Sequence, residues 1–261
     1  MKKGRLKKLF LDIETSPILA DVWKLWDENV GLNQIAADWY ILSWAASWAG
    51  SSAVLYADQS KAENIEDDSE ILRQLWKLLD EADIVVAHNG DRFDIPKINA
   101  RFVKAGLPPP SPYRTVDTLK VAKAKFKFTS NRLAYLAEFL GTETKKQEHH
   151  QFPGHTLWVE VRKGNRAAWR EMRKYNIADV DALKGVYQRL APWSSTGPNE
   201  AVAGESTGPV CPVCGGDHLS PRGYQYSNTG KYQRYVCECG AWSRGKENLL
   251  TKEKRKSLLA R

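Results

Sequence analysis

Apolar residues recur along the chain in two rhythms. Leu9-Phe10-Leu11 and Ile84-Val85-Val86-Ala87 are short continuous runs, the pattern of buried strands, and W-Y-I-L-S-W-A-A-S-W-A (39–49) and S-A-V-L-Y-A (52–57) read as further strands of the same sheet. Helical spacing appears in D-S-E-I-L-R-Q-L-W-K-L-L, where Ser69 is a candidate cap and Ile71, Leu72, Leu75, Leu78 and Leu79 form the stripe. The same spacing in I-P-K-I-N-A-R-F-V-K-A-G, through Ile95, Ile98 and Val103, predicts an amphipathic helix closed by Gly106. R-L-A-Y-L-A-E-F-L, after Ser130-Asn131 and before Gly141, is a third helix whose aromatic and leucine positions are expected in the core. Trp169, Met172, Ile177, Val180, Leu183 and Val186 define a long one from Trp169 to Leu190. Asp117 in T-V-D-T-L suits a helix start, because its carboxylate accepts from the unpaired N–H groups there.

After Trp193 the apolar stripe stops and Ser, Gly and Pro take over, which predicts a folded domain over 1–193 and a flexible linker over 194–208. All four cysteines follow, as Cys211 and Cys214 in C-P-V-C-G-G and Cys237 and Cys239 in C-E-C-G. Two close pairs in a chain without an evident export signal favour zinc over disulfides. Between them Y-Q-Y-S-N-T-G-K-Y-Q-R-Y alternates and turns at Asn228 to Gly230, as a hairpin does. Residues 209–250 resemble a zinc ribbon, which implies one structural Zn²⁺ held by four thiolates, and 251–261 form a basic tail. The second pair is C-x-C where ribbons usually carry C-x-x-C, so His218 is a possible substitute ligand.

Candidate chemistry gathers in three acidic motifs. Asp12 and Glu14 in L-F-L-D-I-E-T lie two apart on a strand, so both point to one face while Ile13 points to the core. Carboxylates so close repel and take up protons unless a hard cation such as Mg²⁺ or Mn²⁺ holds them ionised; an acidic strand end in solvent is the plainer alternative. Asp94, in A-H-N-G-D-R-F-D, sits beyond a strand's carboxyl end, where it is a ligand, the cap of the helix that Pro96 opens, or both at once. Tyr175 and Asp179 are four apart on one helical face, where a phenol beside a metal-binding carboxylate orients an attacking water, or where both are ordinary surface groups.

The order D-I-E (12–14), N-x-x-x-F-D (89–94), Y-x-x-x-D (175–179) resembles the DEDD superfamily of 3′→5′ exonucleases, in its tyrosine subclass, and the stand-alone nucleases similar to the proofreading domain of family B DNA polymerases. The histidine subclass places its base five residues before the last Asp, and Lys174 stands there. The resemblance covers residues 7 to about 193. It implies an α/β, RNase H-like mixed five-stranded sheet flanked by helices, with the site at its strand ends. It further implies two Mg²⁺ or Mn²⁺ ions: Asp12, Glu14 and Asp179 hold the one that activates water, Asp12 bridges to the second, and Asp94 supports the second through water. Tyr175 orients the nucleophilic water, Thr15 lies beside the terminal 3′-OH, and Asn89 and Phe93 lie near the last nucleotides. Nucleoside 5′-monophosphates are the implied products.

A formal net charge of +8 suits a polyanionic partner, and the bias sharpens towards the end of the chain: from Cys211 onward ten Lys and Arg stand against four Asp and Glu. Arg234 and Trp242 are the candidate nucleic-acid contacts of that segment, among interleaved Tyr and Arg residues. Of the ten tryptophans, Trp23, Trp26 and Trp39 are candidates for base contacts, and packing is expected of the others. His149, His150 and His155 lie in a polar segment expected to be a loop touching substrate phosphate, and His88 is expected to pack at a strand end. No apolar run is long enough to span a bilayer, and Met1-Lys2-Lys3 leads straight into a strand, so no membrane and a cytoplasmic location are expected. Motifs for a P-loop, a dinucleotide fold or a serine nucleophile are missing. The expected activity is metal-dependent 3′→5′ exonucleolysis of single-stranded DNA ends; an RNA exonuclease or an inactive nucleic-acid-binding adaptor are the alternatives.

Overall fold

The computed structural model describes residues 4–26, 29–142 and 151–259. Lys7–Tyr187 form one compact unit; the chain after Tyr187, with the few residues before Lys7, forms another. The larger unit runs β1 (Lys8–Thr15), β2 (Leu19–Ala20), β3 (Ile35–Ala37), β4 (Ile41–Trp48), β5 (Leu55–Asp58), α1 (Ser69–Glu81), β6 (Ile84–Ala87), α2 (Asp94–Lys104), β7 (Arg114–Asp117), α3 (Thr118–Lys125), α4 (Leu133–Phe139), α5 (Thr156–Arg162) and α6 (Arg166–Leu190). Five strands make one sheet in the order β5-β4-β1-β6-β7, antiparallel across β5-β4-β1 and parallel across β1-β6-β7. This is the expected RNase H-like mixed sheet flanked by helices, with β1 at its centre.

The pleat of β1 sorts its residues between two helical layers. Leu9, Leu11 and Ile13 pack into a core with Ile71, Leu72, Leu75 and Leu79 of α1 and Ile98 and Phe102 of α2. On the opposite face Phe10 meets Tyr187 of α6 edge-on, and Asp12 meets Asn176. Tyr40 and Leu42 join α5 and α6 there through Leu157, Val161, Trp169 and Met172. The β1–β4 register shifts after Glu14, which pairs with Ser43 while Thr15 pairs with Ile41. Leu42 is the extra residue, so consecutive Leu42 and Ser43 both meet the α5–α6 layer, the re-aiming that a bulge performs beside a site.

Several local expectations need correction. Asp68, not Ser69, occupies the N-cap position just before α1, and its side chain caps nothing. It is turned inward, where both oxygens bind Arg101 at 2.7 Å and Oδ2 also accepts from the Ile41 N–H. Val103 is exposed and the buried face of α2 is Ile98, Arg101 and Phe102, because the helix begins at Asp94 and turns that face inward. Phe139 is exposed at the end of α4, where it packs with Phe128 and Tyr135 outside the core. Asp117 does cap α3, accepting from Leu119 and Lys120 N–H groups.

The second unit contains β8 (Leu219–Ser227) and β9 (Gly230–Cys237), a hairpin closed by the Ser227–Gly230 pair, with β10 (Trp242–Arg244) beside β9 and α7 (Lys252–Ser257) after it. Its buried cluster is small, Cys211, Cys237 and Ala241 with Val213, Cys214, Leu219 and Cys239 against it. Within 194–208, Asn199 caps a single 3-10 turn, Glu200–Ala203, and the Glu200 N–H bonds the Pro212 carbonyl. Among the described residues no helix is long and apolar enough to cross a membrane.

Candidate active site

Three carboxylates from two distant parts of the sequence converge between β1 and α6. Asp12 and Glu14 leave the α6-facing side of β1, and Asp179 comes down from α6; their oxygens lie within 4.8 Å of one another. Asp94, almost fully buried at the start of α2, binds the Ile13 N–H through Oδ1 at 3.2 Å. It is therefore tied to the backbone of β1 between the other two acids, and it also accepts from its own N–H in the first turn of α2. The structure thus brings together the four acidic residues expected from sequence, with Asp94 outside the tight cluster of three.

Neutral donors hold this cluster. Asn176, fully buried on α6, donates to Asp12 Oδ2, and Ser43 Oγ donates to Asn176 Oδ1 at 3.0 Å. Trp158 of α5 donates from Nε1 to Glu14 Oε2 at 3.0 Å. Its ring stands edge-on to Tyr175, with centroids 6.1 Å apart. The Tyr175 hydroxyl donates to Asp179. No Lys or Arg pairs with the four acids among the described residues, and Lys174 instead points toward Glu171 from an exposed position.

Burial without a counter-charge raises every acid in the group. Asp12 is held well above the usual carboxylate range by burial, then by Asp179, Asp94 and Glu14. Burial and Asp179 push Glu14 up to about 8, against the Trp158 hydrogen bond. Burial lifts Asp94 to about 7 and Asp179 to about 6, the latter opposed by Tyr175. Burial, followed by Asp179, Glu14 and Asp12, also raises Tyr175, so its phenol stays protonated. A dense set of hard oxygen donors whose mutual repulsion is unrelieved fits Mg²⁺ or Mn²⁺.

Thr15 and Trp39 line a cleft of about 570 Å³ beside the cluster, together with Lys97, His155 and Trp158. Trp23 and Trp26 are not among its lining residues and are 95% and 80% exposed. Phe93 is partly exposed beside Lys97. Asn89 takes a left-handed conformation, φ 67°, and its N–H binds Asp117 Oδ1, a turn role at the end of β6. His88 bridges Thr118 Oγ1 and the Asn131 carbonyl, and its burial lowers its pKa. His149 and His150 lie outside the described residues; His155 immediately precedes α5 and lines the cleft. Asn176, Trp158 and Lys97 were not legible as site residues: a buried amide, an indole and one lysine among many carry no motif of their own.

In the smaller unit the Sγ atoms of Cys211, Cys214, Cys237 and Cys239 lie within 4.8 Å of one another. Cys211–Cys239 at 3.7 Å and Cys214–Cys237 at 3.6 Å are far too long for disulfides. They match the roughly 3.8 Å edge of a tetrahedron with 2.3 Å Zn–S bonds, so the cluster is compatible with a zinc ribbon. His218 is exposed and outside the thiol cluster, so the substitute-ligand alternative drops away and C-x-C supplies both its sulfurs. On the sheet of β8, β9 and β10, Arg234 lies over Trp242 at 4.8 Å, Lys231 over Tyr224 at 3.9 Å and Arg244 over Tyr232 at 4.0 Å.

The family model described as the RNase H superfamily matches residues 9–191, the span that holds the sheet and all four acids. The chain belongs to the RNase H superfamily. A DNA polymerase III of PolC type from Ureaplasma parvum serovar 3 is 33% identical to this member over 96 residues, which is 36% of this chain and 6% of the polymerase. The solved family B DNA polymerase of the hyperthermophilic archaeon Pyrobaculum calidifontis superposes with a TM-score of 0.53 at 19% identity, covering 72% of this chain and 25% of that one. The superposition is a likeness of fold. Both polymerases are much longer than the part of them this superfamily member spans.

Proposed function

We propose that this protein is a metal-dependent 3′→5′ exonuclease of the DEDD type, tyrosine subclass, acting on single-stranded DNA ends and releasing nucleoside 5′-monophosphates. The observation that carries the reading is the convergence of Asp12, Glu14 and Asp179 within 4.8 Å, with the Tyr175 hydroxyl on Asp179. Two divalent cations at these carboxylates supply charge neutralisation at the scissile phosphate and a more acidic water. The side chains prepare that site. Asn176 occupies Asp12 Oδ2, leaving the other oxygen to turn toward a ligand, and Trp158 does the same for Glu14 through Oε2. Tyr175, kept protonated by its acidic neighbours, acts as a hydrogen-bonding guide for water and not as the base. Thr15, at the cleft wall one residue beyond Glu14, would meet the terminal 3′-OH, and Asn89 and Phe93 would lie near the last nucleotides.

The four cysteines would hold one structural Zn²⁺, and the basic hairpin with Arg234 and Trp242 would add grip on the strand. The test is incubation of the full chain with 5′-labelled single-stranded DNA, duplex DNA and RNA, with Mg²⁺ or Mn²⁺. A descending ladder from single-stranded DNA, blocked by a 3′-phosphate and abolished by Asp12→Asn, is expected. Preferential loss of the RNA would move the reading to an RNA exonuclease, and binding with no turnover under either metal would make the protein an adaptor.

A further inference from the structure

The cleft beside the carboxylates carries a lysine whose surroundings are unusual for a surface cation. Lys97 lies one helical turn beyond Asp94 on α2, and its ammonium sits 3.8 Å from the centroid of the Trp39 ring and 5.2 Å from that of Phe93. It donates to Thr15 Oγ1 at 3.5 Å, a long hydrogen bond. Among the described residues Asp38 acts on it through space without forming an ion pair, and none of the cleft's lining residues is acidic. A partly desolvated ammonium is thus held against aromatic faces, on the wall of an open cleft that adjoins Glu14 through Trp158.

The Trp39 platform is fixed from behind. Arg101, buried and locked to Asp68 through two bonds, donates to the Trp39 carbonyl at 3.2 Å, and Asp68 in turn holds the Ile41 N–H. The indole is therefore presented to the cleft from a backbone with little freedom to move, while Lys97 has a flexible four-carbon stem. A cation–π contact is weaker than a charge-assisted hydrogen bond to a phosphate oxygen, so an entering phosphodiester draws the ammonium off the ring.

Resting on the nuclease reading above, we propose that Lys97 and Trp39 form a strand clasp: the Lys97 ammonium exchanges the Trp39 ring for a substrate phosphate, and the uncovered indole face takes a base of the same strand. The ligand class is a single-stranded end, because the bases of a duplex are held by pairing and stacking and would have to be unpaired to reach the indole. One contact then couples to the next. Charge engages first and stacking follows only where a base is free.

The test is equilibrium binding of the full-length protein to a fluorescein-labelled oligothymidylate without added divalent metal, over a range of salt, for wild type, Lys97→Met and Lys97→Arg. Lys97→Met is expected to flatten the slope of log Kd against log salt by about 0.7, the value for one phosphate contact on a single strand, and Lys97→Arg to restore it. A second strand with abasic 3′-terminal residues should bind wild type about tenfold more weakly, and Trp39→Leu should bind the two strands alike. An unchanged slope in Lys97→Met, or wild type indifferent to the abasic end, overturns the clasp. Cleavage assays on the same preparations keep the two ideas apart. Normal metal-dependent trimming by a Lys97→Met protein with wild-type slope defeats the clasp alone, whereas a wild type that shows the predicted slopes but never cleaves defeats the nuclease reading alone.

Discussion

The Trp158 indole N–H reaches Glu14 Oε2 at 3.0 Å while the same ring stands edge-on to Tyr175, so one side chain of α5 orients a carboxylate of β1 and a phenol of α6. Removing the N–H while keeping an aromatic ring separates these roles. Trp158→Phe is expected to weaken Mn²⁺ binding by about tenfold or more, as loss of an outer partner of a metal ligand does, with little change in melting temperature. Calorimetric titration of Mn²⁺ without substrate measures it, and an unchanged affinity would show that Glu14 needs no such partner.

The acidic cluster makes the metal-free protein pH-dependent in a stated direction. Asp94 and Glu14, raised to about 7 and 8, bind protons more tightly in the folded chain than unfolded. Their contribution to stability is full below the ordinary carboxylate range and is lost as pH rises through the folded values. Melting temperature without divalent metal should therefore fall between about pH 5 and about pH 8.5, and Mg²⁺ should restore most of the loss at the alkaline end. Glu14→Gln should flatten the metal-free profile. A metal-free protein that gains stability over that range would contradict the arrangement.

Tyr175→Phe deletes the hydroxyl on Asp179 without touching a carboxylate. The single-turnover rate constant should fall by about tenfold to a hundredfold with the substrate Kd nearly unchanged. Rapid-quench kinetics at saturating Mg²⁺ reads both, and an unaltered rate constant removes Tyr175 from water positioning.

Arg101 and Asp68, 5% and 3% exposed at their side chains, are an ion pair with nearly all its bonding capacity used. Arg101→Met leaves a buried carboxylate facing an apolar side chain and should cost about 3–5 kcal/mol of folding stability. Urea denaturation gives the value. A loss under about 1 kcal/mol would mean that water reaches Asp68 once the guanidinium is gone.

For the smaller unit, the full chain should carry one zinc, and Cys211→Ser should release it and unfold the hairpin, because the buried cluster there is built from the cysteines themselves. Metal analysis and the near-ultraviolet signal of Trp242 in a Trp242→Phe comparison follow both events. Strand binding should then lose part of its salt dependence as the Arg234, Lys231 and Arg244 contacts are lost.

The sheet and the acidic positions were legible because their signals are local. A short, β-branched apolar run such as Ile84–Ala87 favours a buried strand, and residues two apart on β1 must share a face whatever covers it. The four-residue spacing of Tyr175 and Asp179 likewise follows from helix geometry alone. Local patterns, however, do not say what lies across that face. Asn176 is one residue past Tyr175 in sequence, yet its partners Asp12 and Ser43 are 164 and 133 residues away. The inward turn of Asp68 was decided by Arg101 on another helix, whose buried guanidinium outcompeted the N–H groups of α1 for the carboxylate. Asp94 likewise reaches across to the Ile13 N–H of β1, 81 residues away in sequence. Sequence alone determined which residues share a strand or helix face, since backbone periodicity sets that; the packing of α5 and α6 over β1 decided which of those faces became a site, since desolvation and long-range hydrogen bonding exist only once the layers close.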